Sequence, residues 1–264
     1  MTLTETLSKL SVLNRDNGMS FTNTSRLDAI RCALEDSIYS RINDSGLFHL
    51  YSPKPISKLN EPVVIISSHV DCEKHITKCY TEELPDGLMR GTYDNSITNA
   101  ALLHTMLEGR LPCNVLAAFT GDEECFSQGA NDVVAFARKH LNLHHVVVLD
   151  VTDMGWEQEA DFTIENNFWG EALEKAVIAS AEESGYKWCF VPSDEDYIPI
   201  NIDYERVIPV EAEEDESWEY DEHDVACFSL CIPVFGEMHS NKGVYARQKS
   251  FERYTYMLEK IANI

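Results

Sequence analysis

Positive charge is scarce in this chain. It has 21 Lys and Arg against 45 Asp and Glu, a formal net charge of −24. Nucleic acids and anionic membrane surfaces are bound through basic patches, so neither is expected as a partner. Long apolar runs are also missing. No stretch approaches the ~18 to 20 residues that span a bilayer, and the opening MTLTETLSKL has neither the basic nor the apolar region of a signal peptide. The eight cysteines form no CxxC pair and no dense framework, which fits reduced thiols and predicts a cytoplasmic location. HExxH, zinc-finger, GxSxG, P-loop and GxGxxG patterns are absent, as are internal repeats and low-complexity linkers.

What is present is an α/β pattern. With 264 residues, 44% of them hydrophobic, the chain can bury a substantial core in one large domain or two smaller ones. VVIISSHV (63–70), NVLAAFT (114–120) and HVVVLDV (145–151) are short β-branched runs that read as buried parallel strands. Leu27, Ile30, Leu34 and Ile38 have helical spacing and predict a helix within 24–42. Further helices are expected over 97–107, which runs up to Gly109, and over 128–140, 170–184 and 248–262. Strands alternating with helices imply crossover connections. The expected fold is therefore a three-layer α/β one: a mostly parallel, mixed central sheet with helices on both faces. Ligands in such sheets gather beyond the carboxyl ends of the strands.

Polar residues fall at those ends. SSHVDC puts His69 and Asp71 just past the first run, two residues apart and thus on one side of an extended chain. A polar turn would explain them, as would a metal ligand with a carboxylate that orients it. Asp94, in GTYDNS, precedes the helix near Ile97 and reads either as a cap or as a site residue. FTGDEECFSQG follows the second run with Asp122, Glu123 and Glu124 side by side, a costly arrangement unless each has a different partner. Asp150 closes the third run, with Asp153 beyond it, and a buried carboxylate there demands a ligand, an ion pair or exposure. CFSLCIPVFGEMHSNKG reads as a strand followed by a loop bearing His239. Each signal has an ordinary structural explanation, but five acid or imidazole motifs at one sheet edge do not. Two histidines with several carboxylates suit Zn²⁺, Co²⁺ or Mn²⁺ better than Ca²⁺ or Mg²⁺.

The segment 194–224 holds fourteen Asp or Glu and one basic residue, Arg206. A solvated surface is the plain expectation for it. The alternative is an acidic rim that favours cationic substrates or helps to bind metal.

In order and type, His69-Val70-Asp71, Asp94-Asn95, Glu123-Glu124, Asp150 and His239 resemble the co-catalytic dinuclear metallopeptidases: the M28 and M42 aminopeptidases and the related M20 deacylases and carboxypeptidases. LDVT resembles the M42 form of the Asp motif, and DEE the M20 form of the Glu motif. Cys125-Phe126 stands where a glycine commonly follows the Glu pair, and Met238 precedes His239. The resemblance implies that His69 and Asp150 hold one metal and Glu124 and His239 the other. It implies that Asp94 bridges the two, through a cis peptide to Asn95. Such metals polarise the scissile carbonyl and lower the pKa of the water between them. Glu123 would be general base and then general acid, and Asp71 would orient His69. About 90 residues separate Asp150 from His239 and must also supply strands, so an inserted lid or dimerisation domain is not expected. The implied function is that of a metal-dependent aminopeptidase acting on peptides, with Asp153 or an acid within 221–224 receiving the substrate amine. An M20-like hydrolase of N-acyl amino acids is the alternative, with Lys242 or Arg247 receiving the substrate carboxylate. A metal-binding relative without catalysis is the third reading.

Overall fold

The computed structural model describes residues 1–13, 22–194, 196–200 and 202–264. Its strands are β1 (Ser40–Arg41), β2 (Phe48–Ser52), β3 (Val63–His69), β4 (Thr81–Glu83), β5 (Leu88–Gly91), β6 (Val115–Thr120), β7 (Leu143–Thr152), β8 (Phe162–Phe168), β9 (Trp188–Val191), β10 (Cys227–Gly236) and β11 (Val244–Arg247). Its α-helices are α1 (Leu3–Leu10), α2 (Thr24–Ala33), α3 (Ser96–Leu107), α4 (Glu123–Phe126), α5 (Gln128–His140), α6 (Glu171–Glu183), α7 (Glu216–Glu222) and α8 (Gln248–Ile261).

The strands form one connected sheet in the order β1-β2-β6-β3-β7-β10-β11-β5-β4, with β8 and β9 branching from β10. The centre is parallel: β6, β3, β7 and the first part of β10 run the same way. Antiparallel β2 and β8 flank it. This is the mostly parallel, mixed sheet expected from the sequence. Strands that are apolar on both faces cannot lie at a surface, and every residue of β3 and β6 is buried. Alternate residues serve two cores. Val64 and Ile66 of β3 with Val147 and Leu149 of β7 face the helical layer containing α1, α2, α3, α6 and α8. Val63, Ile65, Val146 and Val148 face α5 and α7.

The expected strands and three of the later helices match to within two residues, and α5 matches at both ends. The helix expected over 24–42 stops at Ala33. Ser37 Oγ donates to Leu34 O at 2.8 Å and accepts from Tyr39 N at 3.1 Å, so its side chain closes a turn where the helix would have continued. Ile38 is 69% exposed and belongs to no apolar stripe.

Candidate metal centre

The five motifs converge at the carboxyl edge of the parallel strands. His69 is the last residue of β3 and stands opposite Thr120, the last of β6. Asp150 lies near the end of β7, the other neighbour of β3. Glu123 and Glu124 open α4 directly beyond β6. Asp94 sits in the turn before α3, and His239 in the loop between β10 and β11. The Asp94–Asn95 peptide is cis.

Asp94 lies between the two imidazoles. Its Oδ1 is 3.0 Å from His69 Nε2 and its Oδ2 3.1 Å from His239 Nε2. The remaining carboxylates divide around that axis. Asp150 Oδ1 lies 3.7 Å and Glu123 Oε2 3.8 Å from His69 Nε2, whereas Glu124 Oε2 lies 3.6 Å from His239 Nε2. Asp71 stands behind them, with Oδ1 3.4 Å from His69 Nδ1 and Oδ2 accepting from Glu124 N at 3.2 Å. One carboxylate thus faces an imidazole and ties the Glu pair to the β3 loop.

Neighbouring elements fix these groups. Asn99 of α3 donates to His69 O at 2.8 Å and Ser68 Oγ at 2.6 Å, and Asn95 donates to Leu149 O at 2.7 Å. The fully buried Arg26 donates to Leu10 O at 3.0 Å, with Asn99 Oδ1 at 3.4 Å and Cys72 Sγ at 3.5 Å. It joins α1, α2 and α3 to the loop after His69. Asn241 accepts from the backbone of Thr77 and Lys78, and His75 donates to His239 O at 2.5 Å, which holds the exposed His239 loop. Gly129 allows α5 to touch the turn bearing the Glu pair. A Cβ there would lie 2.5 Å from Gly121 O and 2.8 Å from Leu47 O. Asp122 adopts a left-handed conformation, and its carbonyl accepts from Cys125, Phe126 and Ser127, so it is a turn residue.

Burial and crowding set the electrostatics. Burial pushes Asp150 up to about 6 and Glu124 up to about 8, with neighbouring Asp94 adding to the latter. Burial drives Glu123 well above the carboxylate range, and Asp150, Asp94 and Glu124 reinforce that shift. Burial also opposes ionisation of Asp94, but its bonds to His239 and His69 prevail and hold it low. Burial would depress His69, yet Glu123, Asp150 and Asp71 raise it well above its usual value. The bond to Asp94 lifts His239 to about 9. The imidazolium protons thus act as counter-charges to a carboxylate cluster with no Lys or Arg among the described residues in ion-pair contact with it.

This donor set fits divalent metal. His69, Asp94 and Glu124 offer ligand atoms all within 4.8 Å of one another. Glu124 Oε1 is buried without a hydrogen-bond partner. Metals take imidazole neutral and carboxylates ionised, so a cation relieves the competition for protons that the cluster shows.

The centre opens into a cavity of about 280 Å³. Its far wall contains Thr152, Glu165 and Cys231, which the sequence did not single out, and Glu213, Glu214 and Asp215 of the acidic segment, whose alternative reading is an acidic rim. Neither Asp153 nor any acid within 221–224, the expected amine receptors, lines it. Asp153 is exposed, and 221–224 lie at the end of α7 and just beyond, where Asn131 and Arg138 meet His223. The acidic segment is not a uniformly solvated surface either. Glu213 to Asp215 reach the cavity, and Glu216 is fully buried, accepting from Ser67 Oγ at 2.7 Å. Lys242 and Arg247, the expected carboxylate receptors, are outside it. Lys242 pairs with Glu237 at 3.3 Å, and Arg247 lies over the Trp156 ring and donates to Trp156 O.

Solved structures of aminopeptidases and of a dinuclear metal-binding peptidase share this fold and superpose over nearly the whole chain. A TET aminopeptidase from Thaumarchaeota archaeon SCGC AB-539-E09 is 10% identical, with a TM-score of 0.70 over 98% of this chain and 95% of that one. The TET1 peptidase of Pyrococcus horikoshii is 12% identical, with a TM-score of 0.68 over 99% of both. A dinuclear metal-binding peptidase of the M20 family from Bacillus subtilis is also 12% identical, with a TM-score of 0.61 over 98% of this chain and 97% of that one. No protein-family model and no curated protein matches the sequence. At these identities the likeness is one of fold.

Proposed function

We propose that the chain is a dinuclear metal-dependent aminopeptidase that hydrolyses the first peptide bond of its substrates. The observation that carries this reading is the position of Asp94, each of whose oxygens faces a different histidine. His69 and Asp150 would hold one cation, Glu124 and His239 the other, and Asp94 both. Two imidazoles among carboxylates favour zinc, with cobalt or manganese as substitutes. When bound, such cations supply Lewis-acid activation of an amide carbonyl and of a water. Glu123 faces the same space without a hydrogen bond among the described residues, free to take a proton from the attacking water and hand it to the leaving amine. Asp71, whose Oδ1 lies 3.4 Å from His69 Nδ1, would favour the tautomer that presents Nε2.

An M20-like reading needs a cation to receive the substrate carboxylate. Among the described residues no Lys or Arg lines the cavity, whereas nine carboxyl groups do, which favours a substrate with a free amine. We read the whole of residues 1–264 as one catalytic domain without a lid, a reading supported by the single connected sheet that every strand joins. All eight cysteines are free, in keeping with a reducing compartment, and the cytoplasm is the proposed location. Among the described residues no helix is long and apolar enough to cross a membrane.

The test is a metal-replete screen against aminoacyl amides and N-acyl amino acids, with metal content measured in parallel. Two metal equivalents with hydrolysis of aminoacyl amides are expected. Turnover of N-acyl amino acids alone would establish the M20-like activity, and bound metal without any turnover the non-catalytic relative.

A further inference from the structure

The far wall of the cavity is acidic beyond what the metal centre requires. Two divalent cations would offset the four carboxylates Asp94, Glu123, Glu124 and Asp150, and Glu73 meets His75 at 3.6 Å. Glu165, Glu213, Glu214 and Asp215 remain, and none of them has an ion pair among the described residues. Glu165 is the informative one. It is only 4% exposed, yet it lines the cavity, and its partners are neutral hydroxyls: Thr163 Oγ1, which donates to Oε1 at 2.5 Å, and Thr152. A buried carboxylate without a cation is costly, and a protein retains one at a cavity wall when something else supplies the charge.

The sheet sets its distance from the reaction centre. Cys231 of β10 stands opposite both Asp150 of β7 and Thr163 of β8, and Glu165 follows two residues along β8 on the same face. Phe162 and Ile164 pack in the other core, so Thr163 and Glu165 turn towards the side that Asp150 occupies. Glu165 stands opposite Ser229, two residues back from Cys231, so two strand spacings and that offset together come to about 12 Å. The four-carbon stem of lysine, or the slightly shorter one of arginine, is suited to that gap once the reach of the glutamate is included. Asp215 is held at the rim by Ser217 N and Oγ at 2.8 and 2.5 Å and by Ser229 Oγ, a rigid mount rather than a mobile acid. Burial, with Asp215 and Asp150 adding to it, pushes Glu165 up to about 8.

We infer that Glu165, with Asp215 and the rim pair Glu213–Glu214, forms a specificity pocket for a cationic side chain, so that the preferred substrates carry lysine or arginine at the N-terminus. This rests on the aminopeptidase reading above and deepens it.

The test uses the metal-loaded protein and two amides of nearly equal size, lysinamide and norleucinamide, which differ by the terminal ammonium. Hydrolysis gives kcat/KM for both, and calorimetric titration into the Glu123→Gln variant gives their affinities without turnover. Lysinamide is expected to be preferred by roughly tenfold or more, the scale of a hydrogen-bonded charged group. Glu165→Gln should collapse that ratio towards one. The exposed rim variant Glu213→Gln/Glu214→Gln, which leaves the Glu213 O that accepts from buried Asn166 in place, should lower it in the same direction if Glu165→Gln fails to fold. Equal or reversed preference in the wild type, with norleucinamide still hydrolysed, overturns the pocket and leaves the aminopeptidase standing. Preferential binding of lysinamide without hydrolysis of either amide sustains the pocket and overturns the aminopeptidase. Neither binding nor hydrolysis of either amide overturns both.

Discussion

Replacing Glu123 with Gln separates proton transfer from metal binding. Among the described residues the Glu123 side chain takes no hydrogen bond, and its nearest cationic neighbour is His69 Nε2 at 3.8 Å. The amide is isosteric and breaks no contact that positions His69, Asp94, Glu124 or His239. What disappears is the carboxylate that accepts a proton, and a positioned general base contributes ~10²–10⁴-fold. At 1.36 kcal/mol per decade the barrier rises by about 3 to 5 kcal/mol. The experiment measures kcat on an aminoacyl amide beside metal content by mass spectrometry and the thermal midpoint. Two metals, a midpoint within a few degrees of wild type, and turnover reduced at least a hundredfold are expected. Turnover within threefold of wild type would sink the base assignment. Loss of one metal with the activity would instead make Glu123 a ligand.

Asp94→Ala removes the carboxylate that faces both imidazoles, and both metals should be lost on dialysis; two tightly retained ions would show that Asp94 is not the bridge. Gly129→Ala drives a Cβ to within 2.5 Å of Gly121 O, backbone that cannot swing aside, so about 1–3 kcal/mol of stability and a proportionate share of activity should go. A thermal midpoint unchanged from wild type would mean that α5 is not seated so tightly against the Glu-pair turn. His145 is fully buried, and burial together with His144 depresses it to about 4. Its contribution is therefore complete above pH 6.5 and is lost as pH falls towards 4, because the unfolded imidazole takes a proton that the folded one refuses. The depression from 6.5 to about 4 corresponds to about 3 kcal/mol. The urea-unfolding difference between wild type and His145→Leu should shrink by that amount over this range, and a pH-independent difference would refute the assignment.

The legible parts of this fold are those where one physical demand dominates. VVIISSH and VLAAFT are apolar or small on consecutive residues, which only a strand buried on both faces tolerates, and they appear as β3 and β6. The acid and imidazole groups closing those runs are legible because a charged group ending a buried strand has few uses besides a site. β8 escapes a reading of the sequence because FTIENNF alternates between two buried faces, one apolar and one polar, and so resembles a half-exposed loop. The helix expected over 24–42 ends early because periodicity says nothing about Ser37 closing a turn through its own side chain.

The acidic segment marks the deeper limit. Fourteen carboxyls in the stretch 194–224 look alike in a sequence, and solvation is the easiest fate for each. Their differences arise only in three dimensions. Glu213 and Glu214 reach a cavity, Asp215 is mounted on Ser217 and Ser229, and Glu216, the first residue of α7, is fully buried on Ser67. None of these partners lies nearby in sequence except Ser217. Glu165 completes the set from a strand far earlier in the chain, on the same face as Asp150, as the register through Cys231 requires. A metal centre can be found in a sequence because its ligands are chemically rare at strand ends. A charge-selective wall is built from the commonest residues in this chain, and only the sheet register and α7 distinguish those that meet a substrate from those that meet water.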